Sequence, residues 1–461
     1  MDKKLEGFFK PKSIAVVGAS KDSRKIGHAA LKNIIISDYN CDLYPVNTHE
    51  KEILGLKCYK RVTDIPGSLD LVLVSVPAKI VSQIMKDCVK KKVKNVIIIS
   101  SGFSEVGKNE LEQEIADIIK KSEIRVLGPN TMGYKNASDG LDASFVFGVP
   151  RKGNLSLISQ SGALGIGMIY LANNEFVGVS KIIGVGNKLD IDDDDLIEYF
   201  SQDPDTKVIG LYIEAVKDGR QFMNAIKACD KPVLVVKAGR SSAGARATAS
   251  HTGSMAGSDK MYSAAIHQAG GIRCRDVVEL FDMARALAGQ PAMKGNRVGI
   301  ITNGGGLGIL LTDACEANDL VVPKLSEKTV KKIDKILPDL IKPNNPVDLV
   351  ADAGFYRYEM TTKALLEDEN IDGIIVASVH GGYARPREFT GAILKMIRER
   401  KLHETHQKPI LGTWVGGKEY EDLVWDLKSA GVPIYPSSWR TARSMYGLYL
   451  EGKRLRREGK K

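Results

Sequence analysis

The sequence predicts an α/β protein of three consecutive domains, each built around a parallel sheet. Short apolar runs rich in β-branched residues alternate with helical patterns along the whole chain, which is typical of βαβ units around a buried sheet. This alternation restarts twice, after breaks at residues 137–153 and 289–296. We therefore expect domains at residues 1–140, 145–289 and 293–461.

The composition is that of a globular protein and argues against several other classes. The longest apolar runs, such as Val93–Ser101, are far shorter than the ~20 residues of a membrane span, and no apolar signal core follows the basic N-terminus. We therefore expect a cytoplasmic protein that does not bind membranes. The net charge is +10, but aromatic residues make up only 6% and are dispersed, so we expect no nucleic-acid partner. The six cysteines show no CxxC spacing, and we predict no metal site.

The first domain reads as a nucleotide-binding fold. Predicted strands are Ile14–Ala19, Leu69–Pro77, Val93–Ser101 and Arg125–Pro129, and predicted helices are Ala78–Lys92 and Lys108–Lys121. Each strand ends in a turn of glycine, serine or proline. Ligands of doubly wound sheets bind at the carboxyl ends of the strands, so these turns predict a binding crevice.

The turn at Gly18 lacks the fingerprint of a nicotinamide cofactor. That fingerprint requires GxGxxG, but the next glycine after Gly18 is Gly27. It also requires an acid at the end of the second strand, where this chain has Asn47. A nicotinamide oxidoreductase is the alternative that an NADH titration would test.

The second domain contains a histidine among small residues. His251 lies in residues 239–257, between the predicted strand Pro232–Lys237 and a helix that starts near Ser258. Because glycine, serine and alanine cannot fill a core, we predict a mobile loop. A lone histidine in such a loop can also be a plain exposed side chain.

Two further features complement this histidine. Ser159, Ser161 and Gly162 open the predicted helix Ala163–Asn174, where free amides and two hydroxyls could hold a dianionic phosphoryl group. Glu214 follows the apolar strand Val208–Ile213, where a carboxylate can orient an imidazole and stabilise its cation. The alternatives are a serine-capped helix and an unrelated salt bridge.

The third domain repeats the strand–glycine–helix pattern. A glycine-rich turn at residues 303–308 follows the predicted strand Arg297–Thr302. Gly381 and Gly382 come just before the predicted helix Pro386–Lys401, so their amides form a second candidate phosphate cradle. A simple strand–helix turn is the alternative.

Several motifs together resemble a known family. The segments VVGAS, YPVN, SVPA, SSGF and GPN are similar to the CoA-binding domain of the succinyl-CoA synthetase and ADP-forming acetyl-CoA synthetase superfamily, and the likeness extends through all three domains. It is closest to the alpha subunits of the ADP-forming enzymes. The resemblance implies a Rossmann-like CoA-binding domain followed by two flavodoxin-like ligase-CoA domains.

The resemblance also implies roles for individual residues. His251 would carry the phosphoryl group with Glu214 as its partner, and Asn187 would lie near the acyl group. The phosphate cradle would be formed by Ser159, Ser161, Gly162, Gly381 and Gly382. The CoA-binding residues would be Gly18, Ser20, Lys21, Val46, Asn47, Val76, Pro77, Ser101, Gly102 and Asn130.

The implied reaction converts acyl-CoA, phosphate and ADP to a carboxylic acid, CoA and ATP. The sequence contains no Walker loop, and the three α/β units leave no room for an ATP-grasp domain. We therefore expect a beta subunit with that domain, in an α2β2 hetero-oligomer, to bind ADP or ATP with Mg²⁺. A non-catalytic CoA-binding regulatory or scaffold protein remains the alternative, and it would carry no phosphohistidine.

Overall fold

The chain divides into two units, residues 1–277 and residues 278–461, which we describe separately. The structure is a computed structural model. It describes residues 3–252, 258–339, 341–380, 384–400 and 408–459.

The first part of unit 1 is a five-stranded parallel sheet with strand order β2-β1-β5-β6-β7. A short hairpin of β3 and β4 follows β2. The strands are β1 (Ser13–Val17), β2 (Asp42–Val46), β3 (Glu52–Ile53), β4 (Leu56–Lys57), β5 (Leu71–Val74), β6 (Asn95–Ile98) and β7 (Arg125–Leu127). The helices are α1 (Lys3–Phe9), α2 (Ile26–Ile36), α3 (Ala78–Lys91) and α4 (Asn109–Lys120), with 3-10 turns at Val62–Asp64 and Ser104–Val106.

The second part of unit 1 is a seven-stranded sheet with order β14-β13-β12-β10-β11-β8-β9. The strands are β8 (Gly133–Asn136), β9 (Leu141–Ser144), β10 (Lys152–Ser159), β11 (Val179–Gly184), β12 (Val208–Ile213), β13 (Val233–Lys237) and β14 (Ile272–Cys274). The helices are α5 (Gly162–Asn174), α6 (Asp193–Gln202), α7 (Gly219–Ala228), α8 (Ser242–Thr252) and α9 (Asp259–Ala269).

The hairpin of β8 and β9 differs from the predicted loop at residues 137–153. β8 pairs antiparallel with β11, and β9 continues the sheet from β8. The pairing buries Tyr134 and Ala143 completely, which explains why so polar a segment forms strands. Residues 133–136, which we expected in the first domain, thus belong to the second sheet.

Unit 2 contains a five-stranded parallel sheet with order β16-β15-β17-β18-β19. The strands are β15 (Val298–Thr302), β16 (Val347–Asp348), β17 (Gly373–Val379), β18 (Ile410–Val415) and β19 (Ile434–Tyr435). The helices are α10 (Val277–Gly289), α11 (Gly305–Glu316), α12 (Glu327–Asp334), α13 (Phe355–Leu366), α14 (Pro386–Arg400), α15 (Glu421–Ser429) and α16 (Ser438–Arg457), with a 3-10 turn at Lys418–Tyr420.

The central strands are apolar because both faces of each sheet are covered. In β1, Ile14 and Val16 pack into one core, while Ala15 and Val17 pack into the core on the opposite face. Every residue of β5 is buried. A strand with two buried faces must be apolar throughout, so its sequence reads as a continuous run and not as an alternating one.

The structure confirms the predicted α/β class with parallel sheets, apart from the antiparallel pairings of β3 with β4 and of β8 with β9 and β11. The predicted strand Val208–Ile213 is β12. Other predicted elements differ from the observed ones by a few residues at their ends, as element boundaries usually do. In the described part of the chain, no helix combines the length and the apolar character needed to cross a bilayer.

Candidate active site

The predicted CoA-binding residues lie along one edge of the first sheet. Because β1, β2, β5, β6 and β7 are parallel, their carboxyl ends meet at the same edge. The strand order reverses between β1 and β5, and ligands of doubly wound sheets bind at such a switch point. Val46 is the last residue of β2, and the turns after these strands contain Gly18, Ser20, Lys21, Asn47, Val76, Pro77, Ser101, Gly102 and Asn130.

Gly18 lies at the switch point and requires the absence of a side chain. Its φ is +88°, and a Cβ atom there would lie 2.1 Å from the Ser75 carbonyl oxygen. A Cβ atom on Gly27, in the first turn of α2, would lie 2.0 Å from the carbonyl oxygen of Gly18. Sequence reasoning used Gly27 only to reject a nicotinamide motif. The structure shows that Gly27 lets α2 approach the turn.

The turns after β1 and β2 are joined by Asn47. Its Nδ2 donates to the Ala19 carbonyl oxygen at 2.9 Å, and its Oδ1 accepts from the His49 amide at 2.8 Å. The exposed Lys21 pairs with Glu50 at 2.7 Å, and the hydrogen bond that it donates to this carboxylate raises the pKa of Lys21. A phosphate bound by Lys21 would therefore meet an ammonium whose charge is already paired with this carboxylate.

The turns after β5, β6 and β7 are joined by Ser100, which the sequence analysis did not assign. Its Oγ accepts from the Val76 amide at 3.0 Å, and its carbonyl accepts from the Asn130 amide at 2.9 Å. Asn130 has a left-handed φ of +57°, a conformation that asparagine tolerates better than most residues. Ser100 therefore fixes the backbone of two predicted CoA-binding residues.

A cavity of about 360 Å³ lies where the carboxyl edges of the two sheets of unit 1 meet. It contains three of the predicted site residues, Asn130, Asn187 and Glu214, which are far apart in the sequence. The full lining is Ser104, Glu105, Asn130, Gln160, Gly186, Asn187, Lys188, Glu214, Ala215, Val216 and Lys217. The predicted thioester end, acyl site and imidazole partner thus face one space.

Asn187 is the polar junction of this cavity. Its Nδ2 lies 2.7 Å from Glu105 Oε2 and 2.9 Å from Glu112 Oε2, and its Oδ1 accepts from Asn130 Nδ2 at 3.3 Å. Burial raises the pKa of Glu105, but hydrogen bonds from Asn187 and from the amides of Gly102 and Phe103 outweigh burial and lower it. Glu105 is therefore ionised beside the Asn187 amide.

Glu214 is buried at the end of β12, where Gln160 positions its backbone. Gln160 Oε1 accepts from the amides of Glu214 at 2.8 Å and Ala215 at 3.0 Å. The Tyr212 hydroxyl is hydrogen-bonded to Glu214. Burial raises the pKa of Tyr212 to about 12, and the charge and hydrogen bond of Glu214 add to that effect. Tyr212 therefore stays protonated as a donor to the Glu214 carboxylate.

The start of α5 provides the amides expected of a phosphate cradle, but its two serines have other partners. Ser161 is the N-cap, and its Oγ accepts from the Leu164 amide at 3.3 Å. Ser159 is fully buried and donates to the Ser161 carbonyl at 2.7 Å, so its proton is not available to a phosphate. A Cβ atom on Gly162 would meet nothing within 4 Å, so space remains there for a ligand.

The segment that contains His251 is a helix and not the predicted loop. Residues Ser242–Thr252 form α8, and His251 lies in its last turn, about 14 Å along the axis from Ser242. Alanine is the strongest helix former, and four alanines between residues 243 and 249 explain why a segment rich in small residues is helical. Residues 253–257, which the prediction also covered, lie outside the described residues.

In unit 2, Gly381 and Gly382 lie outside the described residues, so the second cradle stays a prediction. Asn345, for which the sequence offered no role, supports β15. Its Oδ1 accepts from the Ile300 amide, and its Nδ2 donates to the Val298 carbonyl, both at 2.9 Å. The acidic run at residues 192–195 starts α6, with Asp192 as the N-cap.

Comparison with known families covers nearly the whole chain. Residues 12–137 match a family model described as a CoA binding domain, residues 152–287 one described as a succinyl-CoA ligase like flavodoxin domain, and residues 298–453 one described as a ligase-CoA domain. The consecutive order of these three matches confirms the predicted fold class.

Some relatives match this chain over nearly their full length, and others over only part of it. The acetate–CoA ligase [ADP-forming] II subunit alpha of Pyrococcus furiosus is 41% identical over 98% of both chains. The acetate–CoA ligase [ADP-forming] of Methanocaldococcus jannaschii is 38% identical over 97% of this chain and 63% of its own length. A solved structure, the dinucleotide forming acetyl-coenzyme A synthetase 1 of Ca. Korarchaeum cryptofilum in complex with phosphate and ADP, is 38% identical with a TM-score of 0.92 over 98% of this chain and 97% of its own.

We predict that Gly18→Ala destabilises the protein by about 2 kcal/mol, because it combines a left-handed φ with a collision against the Ser75 carbonyl. Urea denaturation measures the loss. Gly55→Ala is the matched control, since Gly55 has a φ of +80° but nothing lies within 4 Å of its added Cβ. An equal loss of unfolding free energy in the two variants would show that the contact with the Ser75 carbonyl does not contribute to the cost of Gly18→Ala.

Proposed function

The chain belongs to the family of ADP-forming acetate–CoA ligase alpha subunits, and on this premise we propose that it performs the acyl-CoA half of that reaction. The observation that carries the proposal is the shared cavity of Asn130, Asn187 and Glu214, because it joins a CoA-binding edge to a phosphoryl-transfer site. The overall reaction is acetyl-CoA, phosphate and ADP to acetate, CoA and ATP.

The first step is the attack of phosphate on the thioester. In this proposal CoA lies along the edge formed by the turns after β1, β2, β5, β6 and β7. Asn130 and Asn187 face the thioester in the cavity. Asn130 Nδ2 gives one proton to Asn187 Oδ1 and has a second for the carbonyl oxygen as it becomes negative. The products of this step are CoA and acetyl phosphate.

The second step transfers the phosphoryl group to His251. Glu214 orients the ring and stabilises its positive charge, which its buried position at the cavity favours. The amides at the start of α5, near Gly162, hold the phosphoryl oxygens. Because His251 lies in the last turn of α8, we propose that this helix is the element that moves the ring between sites.

The third step forms ATP on a second polypeptide. We propose a beta subunit with an ATP-grasp domain that binds ADP and Mg²⁺, in an α2β2 assembly in the cytoplasm. The relatives support this division: the one from Pyrococcus furiosus is named as an alpha subunit and matches over nearly its full length, whereas the one from Methanocaldococcus jannaschii is longer than the matched region.

His251→Asn is expected to abolish phosphorylation, because asparagine cannot form the phosphoramidate bond. The measurement is acid-labile ³²P incorporation from acetyl-CoA and labelled phosphate, with mass-spectrometric mapping of the site. His267→Asn, an exposed histidine on α9, should label like the wild type. Undiminished labelling of His251→Asn would remove the phosphohistidine step.

Glu214→Gln is expected to slow this phosphorylation about a hundredfold, since the amide keeps the shape but cannot stabilise the imidazolium. CoA binding, followed by calorimetry, should be unchanged. The exposed Glu198 provides the control substitution Glu198→Gln. A labelling rate equal to that of the wild type would assign Glu214 a purely structural role.

The purified chain alone is expected to form no ATP from acetyl-CoA, phosphate, ADP and Mg²⁺, because the nucleotide step is assigned to the partner. A luciferase assay detects the product, and ATP should appear once an ATP-grasp subunit is added. Sustained ATP formation without any partner would contradict the two-subunit mechanism.

A further inference from the structure

Lys217 lines the cavity but has no assigned role. It ends the segment 214–217, which follows β12 and forms one wall of the cavity together with Gln160. The segment starts at Glu214, so Lys217 lies three residues from the predicted imidazole partner. Unlike the buried Glu214, Lys217 has part of its side chain in solvent while its amine is partly buried, and a ligand that enters the cavity can reach it.

The position of the Lys217 amine is fixed by hydrogen bonds between two lysines. Lys188 Nζ donates to the Ala215 carbonyl oxygen at 2.8 Å, and Lys217 Nζ donates to the Lys188 carbonyl oxygen. Lys188 follows Asn187 directly in the chain. These two hydrogen bonds therefore hold the Lys217 ammonium on the same side of the cavity as Asn187, the predicted acyl-site residue. Lys217 uses one of its three donor protons in this way, and two remain for a ligand.

The two lysines differ in how their charges are balanced. Lys188 is buried and pairs with Asp192 at 3.0 Å and Asp193 at 2.8 Å. For Lys217, no carboxylate of the described residues lies within ion-pair distance, and Asp192, Glu112 and Asp190 act on it only through longer-range attraction. Partial burial of the amine lowers the pKa of Lys217, and the positive charge of Lys188 also lowers it. An anion in the cavity would supply the close negative partner that the three distant carboxylates do not.

The carboxylates of the cavity are already bound to donors. Glu105 accepts from Asn187 and from the Gly102 amide, and Glu214 is hydrogen-bonded to Tyr212. Their negative charges disfavour an anion at their own positions, so an anion that enters the cavity is directed to the Lys217 side.

We infer that Lys217 binds inorganic phosphate beside Asn187 for attack on the thioester; this inference rests on the proposed function. Of the reactants that meet in the cavity, the acetyl thioester is neutral. Phosphate and the acetyl phosphate formed from it are anions, so they are the ones that can pair with the Lys217 ammonium. Ammonium groups bind phosphate oxygens through short charge-assisted hydrogen bonds.

The step balances without a further reactant. An oxygen of hydrogen phosphate attacks the thioester carbonyl carbon, a C–O bond forms, the C–S bond breaks, and the proton of the phosphate ends on the departing sulfur. Lys217 holds the phosphate during attack and the phosphoryl oxygens afterwards, at the side of the cavity from which Glu214 and its imidazole partner continue the transfer. Lys217 thus serves both the first and the second step.

Arsenolysis tests this role on the chain alone. Arsenate replaces phosphate, the acetyl arsenate hydrolyses spontaneously, and CoA release from acetyl-CoA is followed with a thiol reagent. Lys217→Gln keeps a donor for the Lys188 carbonyl but removes the charge, so the KM for arsenate should rise about ten- to a hundredfold while that for acetyl-CoA stays unchanged. Lys217→Arg should recover most of the affinity, and Lys227→Gln, an exposed lysine on α7, should behave like the wild type.

A binding measurement separates this inference from the proposed function. In the wild type, phosphate should slow the acetylation of Lys217 by acetic anhydride, mapped by mass spectrometry, and leave Lys227 unaffected. Protection of Lys217 without any CoA release would support the phosphate site and contradict the proposed thioester step. CoA release with an unchanged KM for arsenate in Lys217→Gln, or a rise only in the KM for acetyl-CoA, would overturn the role of Lys217.

Discussion

The side chain of Asn187 joins the two sheets of the first unit, and the geometry of the candidate site depends on it. Asn187 follows β11 of the second sheet; its Nδ2 reaches Glu105 in the 3-10 turn after β6 and Glu112 in α4, and its Oδ1 accepts from Asn130 after β7. A single side-chain amide can bind the two carboxylates and Asn130 because it is donor and acceptor at once. As a result, the ends of the two sheets share one cavity, and this cavity is where the proposed reaction brings a thioester and a phosphate together.

This junction also explains the distribution of charge in the cavity. Buried carboxylates need donors, and the Asn187 amide, the backbone amides near Gly102 and the Tyr212 hydroxyl supply them. The anionic reactant must then be held by groups that these carboxylates leave unused. Lys217 and the amides at the start of α5 are such groups. Lys217 follows Val216, and the N-cap of α5 follows Gln160; Val216 and Gln160 both line the cavity.

The sequence predicted the α/β class well, since buried strands such as β5 and β12 are continuous apolar runs that no other element imitates. It missed the β8–β9 hairpin, whose polar residues gain burial and hydrogen bonds from β11, α1 and α2. It also predicted a loop where the alanines of α8 form a helix. Most site residues followed from motifs at strand ends. Ser100, Gln160 and Lys217 did not, because their roles depend on distances between segments far apart in the chain.

The central claim is that the thioester end of CoA enters the cavity between the two sheets of the first unit. A crystal structure of the chain with CoA tests it most directly. The thiol should lie in contact with the Asn130 and Asn187 side chains, with Glu214 and Lys217 facing the same space. A thiol that lies outside this cavity, with CoA bound along the edge of the first sheet or elsewhere, would contradict the claim.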